Sequence, residues 1–409
     1  MKTRDEIKAL DAVDPLAGFK SRFDLPDGVI YLDGNSLGAR PASVPARMED
    51  VLRQEWGEDL IRSWNTHDWI NAPRRLGAKI ARLIGAEADE VLAGESTSVN
   101  IFKSLCACLQ LSPERSVILS ERGNFPTDAY MMEGLATLSG GRIRQRLVET
   151  SEIAEALDDD VAALLLTHTN YKSGRLHDMK ALTHLAQARG IPVIWDLSHS
   201  AGALPVELND CGADFAVGCG YKYLNGGPGA PAFLFVAKRH QEVVSPILSG
   251  WLGHARPFAF EDQYEPAPGI DRFQCGTPAI LGLAALECGL DIMLEADMDA
   301  IRTKSQALGG LFIEQVEERL DGFELRSPRD AQQRGSQVSF AHEHGYPIMQ
   351  ALIARGVIGD FRAPDILRFG FTPLYVGFDD VARAVDHLVE VMTAEEWREP
   401  RFNQRAAVT

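Results

Sequence analysis

The sequence predicts an α/β fold: a mostly parallel sheet flanked by helices, followed by a smaller α+β C-terminal domain. Three observations predict the architecture. Short, continuous apolar runs alternate with helical stretches, the pattern of strands buried on both faces. The chain has 409 residues, 45% of them apolar, more than one hydrophobic core usually organises. After about residue 290 the rhythm changes to longer helices and widely spaced strands.

The elements follow in order. YLDGNSLG at 31–38 is rich in turn-forming residues and reads as an ordered peptide outside the sheet core. Helical spacing covers 45–57 and 73–84; in the second, Leu76, Ile80, Leu83 and Ile84 share a face and Pro73 suits a first turn. Ser96 to Leu109 reads as a helix with Ser96, Thr97 and Ser98 as capping candidates and Phe102, Leu105 and Leu109 on its apolar side. Strands are predicted at Val117–Ser120, Val161–Thr167, Ile191–Asp196, Phe215–Gly218 and Ala232–Val236, with a helix over Asp178–Arg189. In the last part, helices are predicted at Ala300–Leu320, Ile348–Arg355 and Phe378–Met392, and strands at Phe323–Arg326, Gln337–Ala341 and Ile366–Phe371. The expected division is an N-terminal segment, 1–44, packing with the small domain; a large domain, 45–289; and a small C-terminal domain, 290–409.

Composition excludes several classes of function. With 41 basic against 58 acidic side chains the formal charge is −17, and no basic run interleaves with aromatics, so nucleic acid and anionic membrane are poor partners. The charged start lacks a signal-peptide core, and no stretch approaches the roughly 20 apolar residues of a spanning helix, which predicts a cytoplasmic protein. The 6 cysteines read as buried free thiols, and Cys106 with Cys108 are too close for a zinc knuckle. His342 and His344 have no further ligand cluster nearby, so no metal is expected.

The chemistry concentrates in DLSHSAGALPVELNDCGADFAVGCGYKYLNGGPG, 196–229. An apolar strand delivers Asp196 and His199 at its carboxyl end, where ligands of such sheets gather, and Thr167 ends the neighbouring run. Lys222 lies among small and aromatic residues instead of at an evident surface. A lysine for a Schiff base, an anion for a pyridinium nitrogen and a polar cradle for a phosphate suit pyridoxal 5′-phosphate (PLP). The helix start at Thr97 and Ser98 offers hydroxyls and free N–H groups to an anion. Phe125 could stack on a planar cofactor and Asp128 support its polar edge, although FPTD by itself reads as a turn. The glycines of GYKYLNGGPG fit neither the dinucleotide fingerprint nor the P-loop spacing.

Taken together, YLDGNSLG, FPTD, LTHTNYKSG, WDLSHSAGALPVELN, GYKYLNGGPGAPAFLFV, SGWLGH and FQCGTP closely resemble kynureninase, a fold-type I PLP enzyme related to the class V aminotransferases, and ILRFGFTPLY at 366–375 extends the match. The resemblance implies that Lys222 carries PLP, that Asp196 contacts its pyridine nitrogen with help from Asp128, that Phe125 stacks on the ring and that His199 lies close by. It assigns Thr97, Ser98, Thr167 and Tyr221 to the cofactor, chiefly its phosphate, and implies a homodimer in which Trp251 and Thr277 reach the phosphate of the neighbouring subunit. Arg368 matches the arginine for the substrate α-carboxylate, and Asn35, Ser36, Trp64 and Gly276 match residues lining the aryl side of the pocket. Trp64 and Gly276 look like the bacterial form, which prefers L-kynurenine to its 3-hydroxy derivative. The implied reaction is hydrolysis of L-kynurenine, a small molecule of tryptophan catabolism, to anthranilate and L-alanine, with Lys222 moving the proton and Tyr221 relaying protons at the carbonyl. A cysteine desulfurase would want a nucleophilic cysteine in the small domain, whereas the last one here is Cys288.

Overall fold

The computed structural model describes residues 2–404. The chain opens with helix α1 (Arg4–Ala12), and helix α2 (Val44–Asp50) runs on into π-helical turns over Val51–Asp59 instead of the uniform helix expected over 45–57. Helix α3 (Ala72–Leu83) buries Leu76, Ile80 and Leu83, the predicted face, with Pro73 in its first turn. Fully burying such side chains contributes roughly 1.5–3 kcal/mol each.

The main sheet has seven strands: β1 (Val91–Ala93), β2 (Val117–Glu121), β3 (Arg144–Val148), β4 (Val161–Thr167), β5 (Val193–Asp196), β6 (Phe215–Gly218) and β7 (Phe233–Val236), in the spatial order β1-β7-β6-β5-β4-β2-β3. From β3 to β6 all pairs are parallel, while β7 runs antiparallel to both β6 and β1. A parallel return needs a crossover, usually a helix. Between β6 and β7 there is instead the loop that carries Lys222, and it turns the chain straight back. Helices α4 (Thr97–Leu111), α5 (Pro126–Leu138) and α6 (Met179–Gln187) cover the sheet. The central strands β4 and β5 are buried at every residue, as their uninterrupted apolar sequence requires.

Helices α7 (Ile280–Glu295) and α8 (Met298–Arg319) lead to a second sheet of β8 (Glu324–Leu325), β9 (Gln337–Ala341), β10 (Asp360–Arg362) and β11 (Ile366–Gly370), all antiparallel and ordered β8-β9-β11-β10. Helices α9 (Gly345–Ala354) and α10 (Phe378–Thr393) pack beside it. The N-terminal segment lies on this sheet: Ile30–Tyr31 pairs with Val357–Ile358, Asp33 bridges to Gly370, and Asp11 accepts the N–H groups of Phe378 and Asp379 at the start of α10. Among the described residues no helix is long and apolar enough to cross a membrane, and no group of three or more His, Cys, Asp or Glu side chains is arranged to hold a metal.

Candidate active site

The carboxyl ends of β4 and β5, the start of α4 and the β6–β7 loop surround a cavity of about 280 Å³. Thr97, Ser98, Phe125, Asp128, Thr167, Asp196, His199, Tyr221 and Lys222 all line it, so nine of the expected positions converge there. Strand register explains part of this: Thr167 and Asp196 are direct partners at the ends of β4 and β5.

Lys222 is buried, and its Nζ lies 2.8 Å from His199 Nε2. Burial pushes the lysine below its ordinary pKa, partly offset by Asp196, and the histidine well below its own, where the charges of Lys222 and Arg368 oppose it further. Burial therefore weakens the hold of both groups on a proton, the direction that makes the Lys222 amine a better nucleophile. Asp196 Oδ1 accepts from the Ser198 N–H (2.8 Å) and hydroxyl (2.6 Å). Thr167 Oγ1 hydrogen-bonds Asn124 and lies 3.2 Å from Asp128 Oδ2. Burial raises the pKa of both aspartates, and for Asp128 the charge of Asp196 raises it further.

At the other end of the cavity, Ser96 takes the cap of α4 by accepting from the Val99 N–H at 3.3 Å. Thr97 and Ser98 are thereby released from capping and present their hydroxyls at a positive helix end. The Phe125 ring centroid is 5.7 Å from Lys222 Nζ, and its ring meets Tyr171 edge-on with centroids 5.2 Å apart. Burial also raises the pKa of Tyr221, so its phenol keeps its proton at neutral pH.

The YLDGNSLG peptide passes directly beneath the lysine loop. Gly38 donates its N–H to the Tyr221 carbonyl (2.8 Å), and a Cβ at Gly38 would stand 2.3 Å from the Lys222 carbonyl oxygen, so only glycine fits there. From this peptide Ser36 donates to Asp360 Oδ2 (2.9 Å) and accepts from Arg368 Nη2 (2.7 Å). Arg368 is buried, donates through Nη1 to the Tyr171 carbonyl (2.7 Å) and pairs with Asp360, its cross-strand partner between β11 and β10. Asn35 is fully buried; with its amide turned to satisfy both neighbours it donates to Asp33 (3.2 Å) and accepts from Arg368 Nε (3.0 Å). Ser36 and Asn35 thus stand on the guanidinium.

Asn35, Ser36 and Arg368, gathered beside the lysine loop, and Trp64, Trp251, Gly276 and Thr277, farther off in the chain, do not line the Lys222 cavity. Trp64 packs edge-on to Trp69 with centroids 6.0 Å apart. Trp251 is 38% exposed, and a Cβ at Gly276 would meet nothing within 4 Å, so the chain's own packing does not require glycine there. Gly276 and Thr277 line a second cavity, which shares Glu95 and Gly229 with the first.

Sequence reasoning missed Asn124, Ser198, Cys219, Asp360 and Tyr171. Asp360 had a signal: DFRAPDILRF reads as a hairpin with opposite charges in its two arms. Tyr171, Ser198 and Cys219 lie within the quoted motifs, but irregular backbone there hides which side chains they contact, and Asn124 stands just before FPTD.

A buried lysine on the loop closing a largely parallel sheet, with an aspartate at the end of the central strand, defines an enzyme with the fold of the fold-type I PLP-dependent class. Among solved structures the chain is similar to a cysteine desulfurase from Thermococcus onnurineus, with a TM-score of 0.77 at 19% identity over 92% of this chain and 98% of that one. It is also similar to a cysteine desulfurase from Escherichia coli, with a TM-score of 0.79 at 19% identity over 93% and 99%. At that identity the likeness speaks for the fold alone. The family model described as "Kynureninase C-terminal domain" matches residues 301–388. Kynureninase of Burkholderia mallei is 54% identical over the full length of both chains, and that of Pseudomonas fluorescens 52%. The chain belongs to the kynureninase family.

Proposed function

We propose that the protein hydrolyses L-kynurenine to anthranilate and L-alanine, as the family name and the filled cavity both support. The observation that carries the reading is the Lys222–His199 contact, buried among Asp196, Asp128 and the start of α4. The residues fit PLP: Asp128 Oδ1 and His199 Nδ1 are buried without a hydrogen-bond partner, and the cavity ends on a helix N-terminus. PLP bound there supplies an electron sink for the bonds at the substrate Cα and Cβ.

The chain's own groups do the rest. Asp196, held by two donations from Ser198, receives the pyridinium nitrogen, and burial of Asp128 beside it favours sharing one negative charge between the two carboxyls. Thr97, Ser98 and Thr167 would hold the polar edge and phosphate, and Phe125, braced by Tyr171, would cover the ring. Arg368 takes the α-carboxylate, with Asp360 and Ser36 fixing the guanidinium plane. Lys222, as a free amine, removes the proton at Cα and carries it away from that carbon. Tyr221 donates at the aryl carbonyl as water adds, and Ser36 orients that water's product.

The functional unit in this reading is a homodimer, with Trp251 and Thr277 serving the phosphate and Trp64 and Gly276 the aryl side of the neighbouring subunit's site, in a cytoplasmic enzyme divided into 1–44, 45–289 and 290–409. The exposed side chains of Trp56, Ile61, Trp251, Phe258 and Phe260 support it. The test is to incubate the PLP-loaded protein with L-kynurenine and follow anthranilate fluorescence together with alanine. Both products in equal amounts are expected; loaded protein that releases no anthranilate would overturn the proposal.

A further inference from the structure

We propose that Lys103 is a positioning residue that fixes the segment bearing Gly276 and Thr277 for use by the neighbouring subunit's active site. The inference rests on the shared-site reading above. Lys103 lies on α4, its side chain is 4% exposed, and the mechanism does not use it. Its Nζ donates to the Phe273 carbonyl at 2.9 Å and lies 3.6 Å from Glu95 Oε1. An ammonium is expensive to bury unless it is paired and hydrogen-bonded, so an apolar residue would fill this position at less cost unless the charge had a task.

What Lys103 ties together gives that task. Glu95 immediately precedes the cap of α4, holds a left-handed φ of 60°, and is fixed to the start of β7 through Ala232, which donates to its carbonyl at 2.9 Å. It belongs to the turn that presents Thr97 and Ser98 to the chain's own cavity. Phe273 leads into the segment 274–277, which is locked backbone to backbone onto 250–253. A Cβ at Gly250 would stand 2.1 Å from the Cys275 carbonyl oxygen and one at Gly253 2.4 Å from that of Gln274, while the Leu252 N–H donates to Cys275 at 3.3 Å. Trp251 and Thr277 are therefore held as one unit, and the ammonium of Lys103 pins that unit to α4. The Phe273 side chain is itself buried in the core with Ile101 and Leu105 of α4, but beyond it the segment 274–277 borders a cavity of about 200 Å³ that Glu95 and Lys103 also line.

Hybrid dimers test this. Mixing Lys222→Ala with Trp251→Ala subunits gives one complete site, with Lys222 from the second chain and Trp251 lent by the first. If that reference hybrid is inactive after proven subunit exchange, the shared-site reading fails; if it is active, Lys103→Gln is placed on one chain at a time. The readout is the PLP dissociation constant of the complete site, followed as borohydride-reducible cofactor, which needs Lys222. On the Lys222→Ala chain, which lends its segment, Lys103→Gln is expected to weaken PLP about tenfold or more, the loss of roughly 1.4 kcal/mol. On the Trp251→Ala chain the effect is expected to be much smaller. Lys103→Arg, which keeps the charge but moves the donors, should show the same asymmetry at reduced size, and it keeps the idea open to refutation if the glutamine chain does not fold. Equal effects from the two placements, a larger effect from the Trp251→Ala chain, or no effect from the lending chain overturns the proposal.

Discussion

Burial sets the protonation states on which this site depends. Lys222 and His199, 2.8 Å apart and closed off from water, each hold a proton less firmly, while Tyr221 keeps its proton. Replacing Lys222 by alanine should abolish anthranilate formation and the borohydride-sensitive absorbance of bound PLP together; an enzyme that kept that absorbance would show that another amine carries the cofactor. Asp33, in the peptide beneath the loop, is pushed up from an ordinary 3.8 to about 7 by burial and by the charge of Asp360. Its folded pKa lies above its unfolded one, so the folded state holds the proton more tightly, and stability attributable to this group falls as pH rises from about 4 to about 7. At 1.36 kcal/mol per pKa unit the cost above pH 7 is at most about 4 kcal/mol. Asp33→Asn should therefore gain stability on the wild type between pH 5 and pH 8, measured by denaturant unfolding at both; a gap that does not change with pH would sink the assignment. Residue-scale chemistry was legible where a motif stood at a strand end, as with Asp196, His199 and Lys222. It was illegible for Asn124, Ser198 and Tyr171, because side chains in irregular loops obtain their roles from contacts across the fold and not from spacing.

Among the elements, the β10–β11 hairpin and the GNSLG turn form one device around a guanidinium. Asp360 faces Arg368 across the hairpin, and Ser36 bridges the two by donating to one and accepting from the other. A buried arginine whose plane is fixed by a carboxylate can meet another carboxylate edge-on without first reorganising. Asp360→Asn should raise KM for L-kynurenine about tenfold or more, the scale of a hydrogen bond to a charged group, with a smaller change in kcat. An unchanged KM would show that Asp360 serves only the fold. Double replacement with Ser36→Ala should cost less than the sum of the single changes, since both act on the same guanidinium. Element by element, the apolar runs announced β2, β4, β5, β6 and β7, and the spacing in 73–84 announced α3. The edge strand β3 (RQRLV) was missed because partly exposed strands carry polar residues, and β10 because three residues show no period. Helix α5 began as an apparent turn because Phe125-Pro126 signals a break, whereas proline is well suited to a first helical turn.

For the molecule as a whole, the unexplained surface is apolar. Trp56 projects from the π-helical stretch after α2, Leu60 and Ile61 from the 3₁₀ turn that follows it, and Trp251, Phe258 and Phe260 from the segment before α7; Ile61 is 77% exposed and Phe260 78%. Single exposed apolar side chains are ordinary, but Trp251, Phe258 and Phe260 pack edge-on with centroids 5.7 and 6.4 Å apart, and in the homodimer proposed above they and Trp56 would be side chains for a second copy to cover. If the apolar face is the dimer contact and the site borrows residues across it, association and cofactor retention must be linked by mass action. Replacing Trp56 and Ile61 together by aspartate should shift the mass in analytical ultracentrifugation from dimer to monomer, and PLP retention should fall in step as the protein is diluted. A doubly substituted protein that became monomeric yet held PLP and turned over kynurenine as before would show that one chain is a complete enzyme, with Trp251 and Thr277 outside its chemistry. One that stayed dimeric would place the contact elsewhere on the surface.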